Sequence, residues 1–124
     1  DPTLIDVDAL DWDRGSSPPR CPHCGAYARP DVVWFEENLP ADALERAWDL
    51  SARAGVVLIV GTSGVVQPAA SLPINAKRSG ATVIEVNPVP SALTPYADWH
   101  FAGPAGAVLP RLVEAVRACA AAEG

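Results

Sequence analysis

The sequence has no methionine, only three cysteines and few cations: nine Lys and Arg stand against fifteen Asp and Glu, a formal charge of −6. Phosphate backbones are met by basic faces, so this balance argues against a nucleic-acid module. Long apolar runs are missing too. The longest, Gly55 to Val60, falls far short of the roughly 20 residues a membrane helix needs, and no basic stretch precedes an apolar one at the N-terminus as in an export signal. The expectation is a soluble, unexported chain with neither nucleic acid nor membrane as partner. Three cysteines make no even disulfide set, and two are spaced as Cys21-Pro22-His23-Cys24, a pattern of metal or redox chemistry in a reducing compartment, here the cytoplasm. Apolar residues, by contrast, are plentiful. They make up 49% of 124 residues against 19% charged, enough for one core and too many for a disordered chain.

The first twenty residues are acidic and loop-rich, with Asp1, Asp6, Asp8, Asp11 and Asp13 followed by Gly15-Ser16-Ser17-Pro18-Pro19. Without an initiator Met, this reads as a chain that starts part-way through a gene product. Regular structure is expected after Arg29. Val32-Val33-Trp34-Phe35 is β-branched and aromatic and reads as a strand or extended segment. Leu39-Pro40 opens a helix in which Asp42 and Glu45 complement the dipole and Leu44, Ala47, Trp48 and Ser51 share a face. Val56-Val57-Leu58-Ile59-Val60 is a continuous aliphatic run of the kind found in parallel strands covered on both faces. A helix over 68–79, broken early by Pro73 and stopped by Gly80, leads to the strand Thr82-Val83-Ile84-Glu85-Val86. A proline-punctuated connection over 88–104 then reaches a last helix from about Val108 to Ala121, with Cys119 on its apolar side. The order βαβαβ…α predicts an α/β fold with a parallel sheet and flanking helices, whose ligand lies beyond the carboxyl ends of the strands.

Gly61-Thr62-Ser63-Gly64 occupies that place. Its glycines permit close backbone approach and its hydroxyls suit a ribose or phosphate, although a plain strand-to-helix turn has the same composition. Asn87 ends the next strand, as a ribose contact or as a turn former. Cys21 and Cys24 resemble a zinc knuckle, in which two thiolates converge on one ion; a structural zinc needs four ligands, and a redox pair is the competing reading. His23 sits inside the knuckle. His100, in Trp99-His100-Phe101, has no nucleophile beside it and reads as structural or exposed, and Glu36-Glu37 look like loop residues.

In order and spacing, Pro19-Arg20-Cys21-Pro22-His23-Cys24-Gly25, Arg29-Pro30-Asp31-Val32-Val33-Trp34-Phe35, Glu37-Asn38-Leu39-Pro40, Gly61-Thr62-Ser63, Val66-x-Pro68-Ala69 and Glu85-Val86-Asn87 resemble the C-terminal half of the sirtuins, NAD-dependent protein lysine deacylases, with the class III branch nearest. The resemblance implies that residues 1–30 are part of a small zinc-binding module and linker, and 31–124 the C-terminal part of a Rossmann-like NAD-binding domain. It implies NAD contacts at Gly61, Thr62, Ser63, Asn87 and Ala105, with Val89 close by. Val33, Phe35, Glu37 and Asn38 match the extended segment that pairs with an acyl-lysine peptide by strand addition, and Cys21 and Cys24 match the second zinc pair. In that family the acyl group ends on ADP-ribose and nicotinamide leaves.

Glu36, within the same peptide-binding segment, stands where the family has glycine, and close approach of the substrate backbone is one reason for glycine there. The family's glycine-rich NAD loop, nicotinamide pocket, catalytic His and first Cys pair have no counterpart in these 124 residues. The resemblance therefore implies a chain that is inactive alone, its general base and two zinc ligands supplied by an N-terminal half, contiguous or separate. A non-catalytic half-sirtuin that binds nucleotide or protein is the alternative.

Overall fold

A computed structural model describes residues 4–15 and 17–122. By its internal contacts the chain forms two units, Asp1–Leu39 and Pro40–Gly124. Residues 31–39, assigned above to the nucleotide-binding segment, group with the first unit.

In that unit a 3-10 turn, Val7–Ala9, is capped by the Asp6 carboxylate, which accepts from the Asp8 N–H. The knuckle closes through an isolated antiparallel bridge between Arg20 and Tyr27. Within it the Cys21 N–H donates to the Ala26 carbonyl at 2.8 Å and the Gly25 N–H to the Cys21 carbonyl at 2.9 Å. Gly25 has φ +74°, the left-handed conformation that turns the chain back so tightly. No strand forms at Val32–Phe35: the chain bends at Asp31–Val32 and turns at Phe35–Glu36. The β-forming composition there is overridden by a side-chain clamp described below.

The second unit begins with helix α1 (Ala41–Arg53), with Asp42 in its first turn and Arg53 in its last, each favourable for the helix dipole. Leu44, Ala47, Trp48 and Ser51 are its half-buried stripe, as their spacing predicts. Strand β1 (Val56–Val60), helix α2 (Ser71–Arg78), strand β2 (Thr82–Asn87), strand β3 (Trp99–Ala102) and helix α3 (Ala105–Ala122) follow. The sheet is parallel throughout, in the order β1-β2-β3, with Ile59 beside Glu85 and Glu85 beside His100. Asn75 on α2 donates to the Ser51 hydroxyl on α1 at 2.8 Å, pinning the two helices together.

Three boundaries differ from expectation, each for a local reason. Helix α2 starts at Ser71 rather than Pro68, because Pro73 has no N–H to give to a carbonyl four residues back and is accommodated in a first turn. Strand β3 lies inside the stretch read as a connection, where Pro88, Pro90, Pro95 and Pro104 masked four pairing residues. Helix α3 starts at Ala105, directly after Pro104, whose carbonyl accepts from the Ala107 and Val108 N–H groups.

Ile59, Val83 and Leu93 form a buried cluster, with Val57, Ile74 and Ala97 against them; Ala76, Ala81 and Val86 are buried too. Leu58, Trp99 and Phe101 occupy the other face of the sheet and are exposed. Cys119, expected among packed apolar residues, is an exposed free thiol near the end of α3.

Candidate functional site

Parallel pairing sets the carboxyl ends of three strands side by side: Val60 pairs with Val86, and Asn87 with Ala102. Past these ends lie the loop 61–64, Asn87 itself and the start of α3. The loop leaves β1 through Gly61 at φ +61°, with its N–H on the Val86 carbonyl at 3.1 Å. It turns again at Gly64, φ +70°. A Cβ at Gly64 would lie 2.6 Å from Leu93 Cγ, so this glycine is required by packing as well as by backbone angle.

Asn87 is the junction. Its Nδ2 donates to the Thr62 carbonyl at 2.8 Å, and its own carbonyl accepts from the Gly103 N–H at 3.3 Å and from His100 Nε2 at 3.1 Å. A carbonyl only accepts, so His100 carries its proton on Nε2. That half-buried ring is therefore structural, and it is committed to a strand end.

Glu85 is the only fully buried carboxylate among the described residues. Burial by itself pushes its pKa up. The hydroxyls of Ser91 and Thr94, and then the nearby His100, outweigh that cost and hold the carboxyl below its ordinary value. Sequence reasoning gave Glu85 no role of its own, although a carboxylate inside Val83-Ile84-Glu85-Val86 is a recognisable signal, because a buried charge must be paired or hydrogen-bonded.

In the first unit, Arg29 and Glu37 form a two-pronged ion pair, Nη1 to Oε1 at 2.8 Å and Nη2 to Oε2 at 2.9 Å. The same guanidinium reaches the Val32 carbonyl at 3.3 Å and stacks on Trp34, 4.2 Å from the ring centre. Glu37 also accepts from the Trp34 N–H at 3.0 Å. Hydrogen bonding from Arg29, then from the Trp34 amide, lowers its carboxyl to about 2. This clamp folds residues 29–37 into a loop and leaves Val33 and Phe35 exposed, Phe35 at 85%. Glu36, at the turn, has φ +73°. The glycine that the sirtuin pattern places here thus has a reason within the chain: the position is left-handed, and a side chain is strained in it.

The backbone N–H groups of Cys24 and then His23 face the Cys21 sulfur and lower its thiol pKa. Cys21 and Cys24 border one cleft of about 760 Å³, together with Ile5, Val7, Tyr27 and Glu37. Among the described residues no three His, Cys, Asp or Glu side chains converge as a metal site. The two thiols fit half of a tetrahedral zinc set.

Residues 6–68 match the sequence model of the Sir2 family. The chain belongs to the Sir2 family. It is 53% identical over 114 residues to a protein of Pyrococcus furiosus named NAD-dependent protein deacylase, covering 92% of this chain and 46% of that one. A solved mutant Sir2 homologue in complex with ADP-ribose superposes with a TM-score of 0.83 at 44% identity, over 94% of this chain and 46% of the other. A Sir2 structure with a p53 peptide and NAD+ gives 0.72 at 38% identity, over 81% and 42%. The chain spans less than half the length of these relatives.

Of the residues that the Sir2 resemblance marks, Gly61, Thr62, Ser63 and Asn87 come together at one sheet edge, joined by the Asn87–Thr62 bond. Ala105 opens α3 at that same edge, two residues beyond Gly103, which bonds to Asn87. Val89 lies two residues past β2 and is exposed. Val33, Phe35, Glu36 and Glu37 share the clamped loop, and Asn38 follows it; of the strand or extended segment that the composition predicts, no strand forms. Among the described residues no helix is long and apolar enough to cross a membrane.

Proposed function

We propose that this chain carries the C-terminal part of the NAD site and the substrate-peptide segment of an NAD-dependent protein lysine deacylase. The observation that carries this reading is the bond from Asn87 to the Thr62 carbonyl, which holds a Gly-Thr-Ser loop open at the carboxyl ends of parallel strands, where α/β sheets take nucleotides. The relatives' names and ligands support it: a protein deacylase, a complex with ADP-ribose, and a peptide complex with NAD+. In this reading Gly61, Thr62 and Ser63 meet the ribose and phosphates, Asn87 the adenosine ribose, and Ala105 and Val89 the neighbourhood of the adenine. Bound NAD supplies the acceptor, its ADP-ribose taking the acyl group from lysine as nicotinamide leaves.

Val33, Phe35, Glu36, Glu37 and Asn38 belong to the acyl-lysine peptide segment. The exposed Val33 and Phe35 offer it apolar contact, and Glu36 either narrows the peptide cleft or adds a negative charge that favours basic peptides. His100 is held by the Asn87 carbonyl and His23 lies in the knuckle, so the general base comes from outside these residues. Cys21 and Cys24 give two ligands to a structural zinc, completed from elsewhere, and the N–H groups facing Cys21 favour the thiolate that zinc requires. The free Cys21 and Cys24 thiols fit a reducing cytoplasm.

Calorimetric titration of the chain with ADP-ribose and NAD, alongside a nicotinamide-release assay with an acetylated peptide, tests the reading. Binding without release is expected. Failure to bind either nucleotide overturns the site assignment, and turnover by this chain alone overturns the placement of the base. Binding with no turnover even after joining the upstream half of a relative would favour the non-catalytic half-sirtuin.

A further inference from the structure

Two hydroxyl relays converge on the Glu85 carboxylate. In one, the Leu93 N–H donates to Ser91 Oγ at 3.0 Å, and that hydroxyl donates to Glu85 Oε1. In the other, the Ser91 N–H donates to Thr94 Oγ1 at 2.8 Å, and that hydroxyl donates to Glu85 Oε2 at 2.5 Å. Each hydroxyl thus accepts from a backbone N–H and gives its own proton to Glu85. An ionised carboxylate is the one side chain of this length that accepts at both atoms. A glutamine accepts at one atom only, so the second hydroxyl takes the amide N–H₂ on its remaining lone pair and its own proton loses its acceptor inside a buried site.

The segment gripped in this way, residues 91–94, touches the loop 61–64 at two points. The Ala92 N–H donates to the Ser63 carbonyl at 3.1 Å, and buried Leu93 fills the space that a side chain at Gly64 would need. We propose that Glu85 is a positioning residue for nucleotide binding, setting the Thr62–Ser63–Gly64 backbone through Ser91, Thr94 and the segment between them. The proposal rests on the nucleotide reading above and adds a residue to it. Glu85 faces the core side of the sheet, beside Ile59 on one strand and His100 on the other, so it acts on the loop at a distance and touches no ligand.

The test compares the chain with Glu85→Gln, with Thr94→Val, and with Leu44→Ala on α1 as a destabilised control outside both the loop 61–64 and the segment 91–94. Amide NMR spectra without ligand come first, then ADP-ribose titration at a temperature where every variant is folded. Glu85→Gln should shift the Ser63, Gly64 and Ala92 amides and weaken ADP-ribose binding roughly fivefold or more; Thr94→Val should shift the same amides with a smaller loss of affinity. Leu44→Ala should lower the melting temperature and leave both the amides and the affinity in place. Unmoved Ser63 and Gly64 amides, or an affinity loss matched by Leu44→Ala, overturn the proposal. If Glu85→Gln does not fold, Thr94→Val decides by the same two readouts. If the unaltered chain binds no ADP-ribose, the nucleotide reading falls, and the Ser63, Gly64 and Ala92 amides alone decide whether Glu85 sets the loop.

Discussion

Asn87 Nδ2 lies 2.8 Å from the carbonyl oxygen of Thr62, a residue 25 positions earlier in the chain. That bond ties the end of β2 to the loop leaving β1, while the Asn87 carbonyl holds Gly103 and His100. One asparagine therefore links all three strand ends.

Asn87→Ala removes the tie and leaves the Thr62 carbonyl without it in a part-buried setting. A stability loss of about 1–2 kcal/mol is expected, read by denaturant unfolding. ADP-ribose affinity should fall by about tenfold, the equivalent of about 1.4 kcal/mol. Unchanged affinity would mean that the loop holds its shape without Asn87 and that Asn87 does not meet the adenosine ribose.

Gly61 and Gly64 are both left-handed but differ in surroundings. Gly61→Ala meets open space and should cost only the backbone penalty of about 1–2 kcal/mol. Gly64→Ala drives a methyl into Leu93 and adds an overpacking cost of about 1–3 kcal/mol to the same penalty. Chemical denaturation of the pair should show Gly64→Ala the less stable; the reverse order would contradict the packing described for Leu93.

Glu36 stands at φ +73°, so Glu36→Gly relieves strain, partly offset by the greater freedom glycine gives the unfolded chain. The net gain should be about 0.5–1 kcal/mol. The same substitution should raise affinity for acyl-lysine peptides by opening the segment, measured by fluorescence anisotropy of a labelled peptide. An unaltered peptide affinity would separate the backbone role of this position from any part in the peptide cleft.

The Arg29–Glu37 pair sets a pH dependence. Glu37 titrates at about 2 in the folded chain, below its ordinary 4.5, so its stabilising effect is full above the ordinary value and fades as pH falls toward about 2. Both side chains are about half exposed, and the effect is correspondingly small. Carboxyl NMR should find Glu37 still ionised at pH 3 and show its pKa rising toward 4.5 in Arg29→Gln. The Trp34 amide should keep the rise incomplete, and a Glu37 that titrates normally in the unaltered chain would remove the clamp.

Sequence by itself determined the alternation of strands and helices, because it is written in local spacing: the aliphatic Val56–Val60, the stripe Leu44, Ala47, Trp48 and Ser51, and the stops at Gly55 and Gly80. It also marked the Gly-Thr-Ser loop, Asn87 and the Cys21–Cys24 knuckle. Of the strand or extended segment it offered at Val32–Phe35 no strand forms, where Arg29 and Glu37 close across eight residues, and it passed over β3, whose four residues are too few to stand out among prolines. The partners of Glu85, the lock between Asn87 and Thr62, and the left-handed turn at Glu36 were decided by tertiary structure alone. Each depends on which atoms strand register and loop closure bring within hydrogen-bond reach, and that distance is set by the whole fold rather than by the neighbours of any one residue.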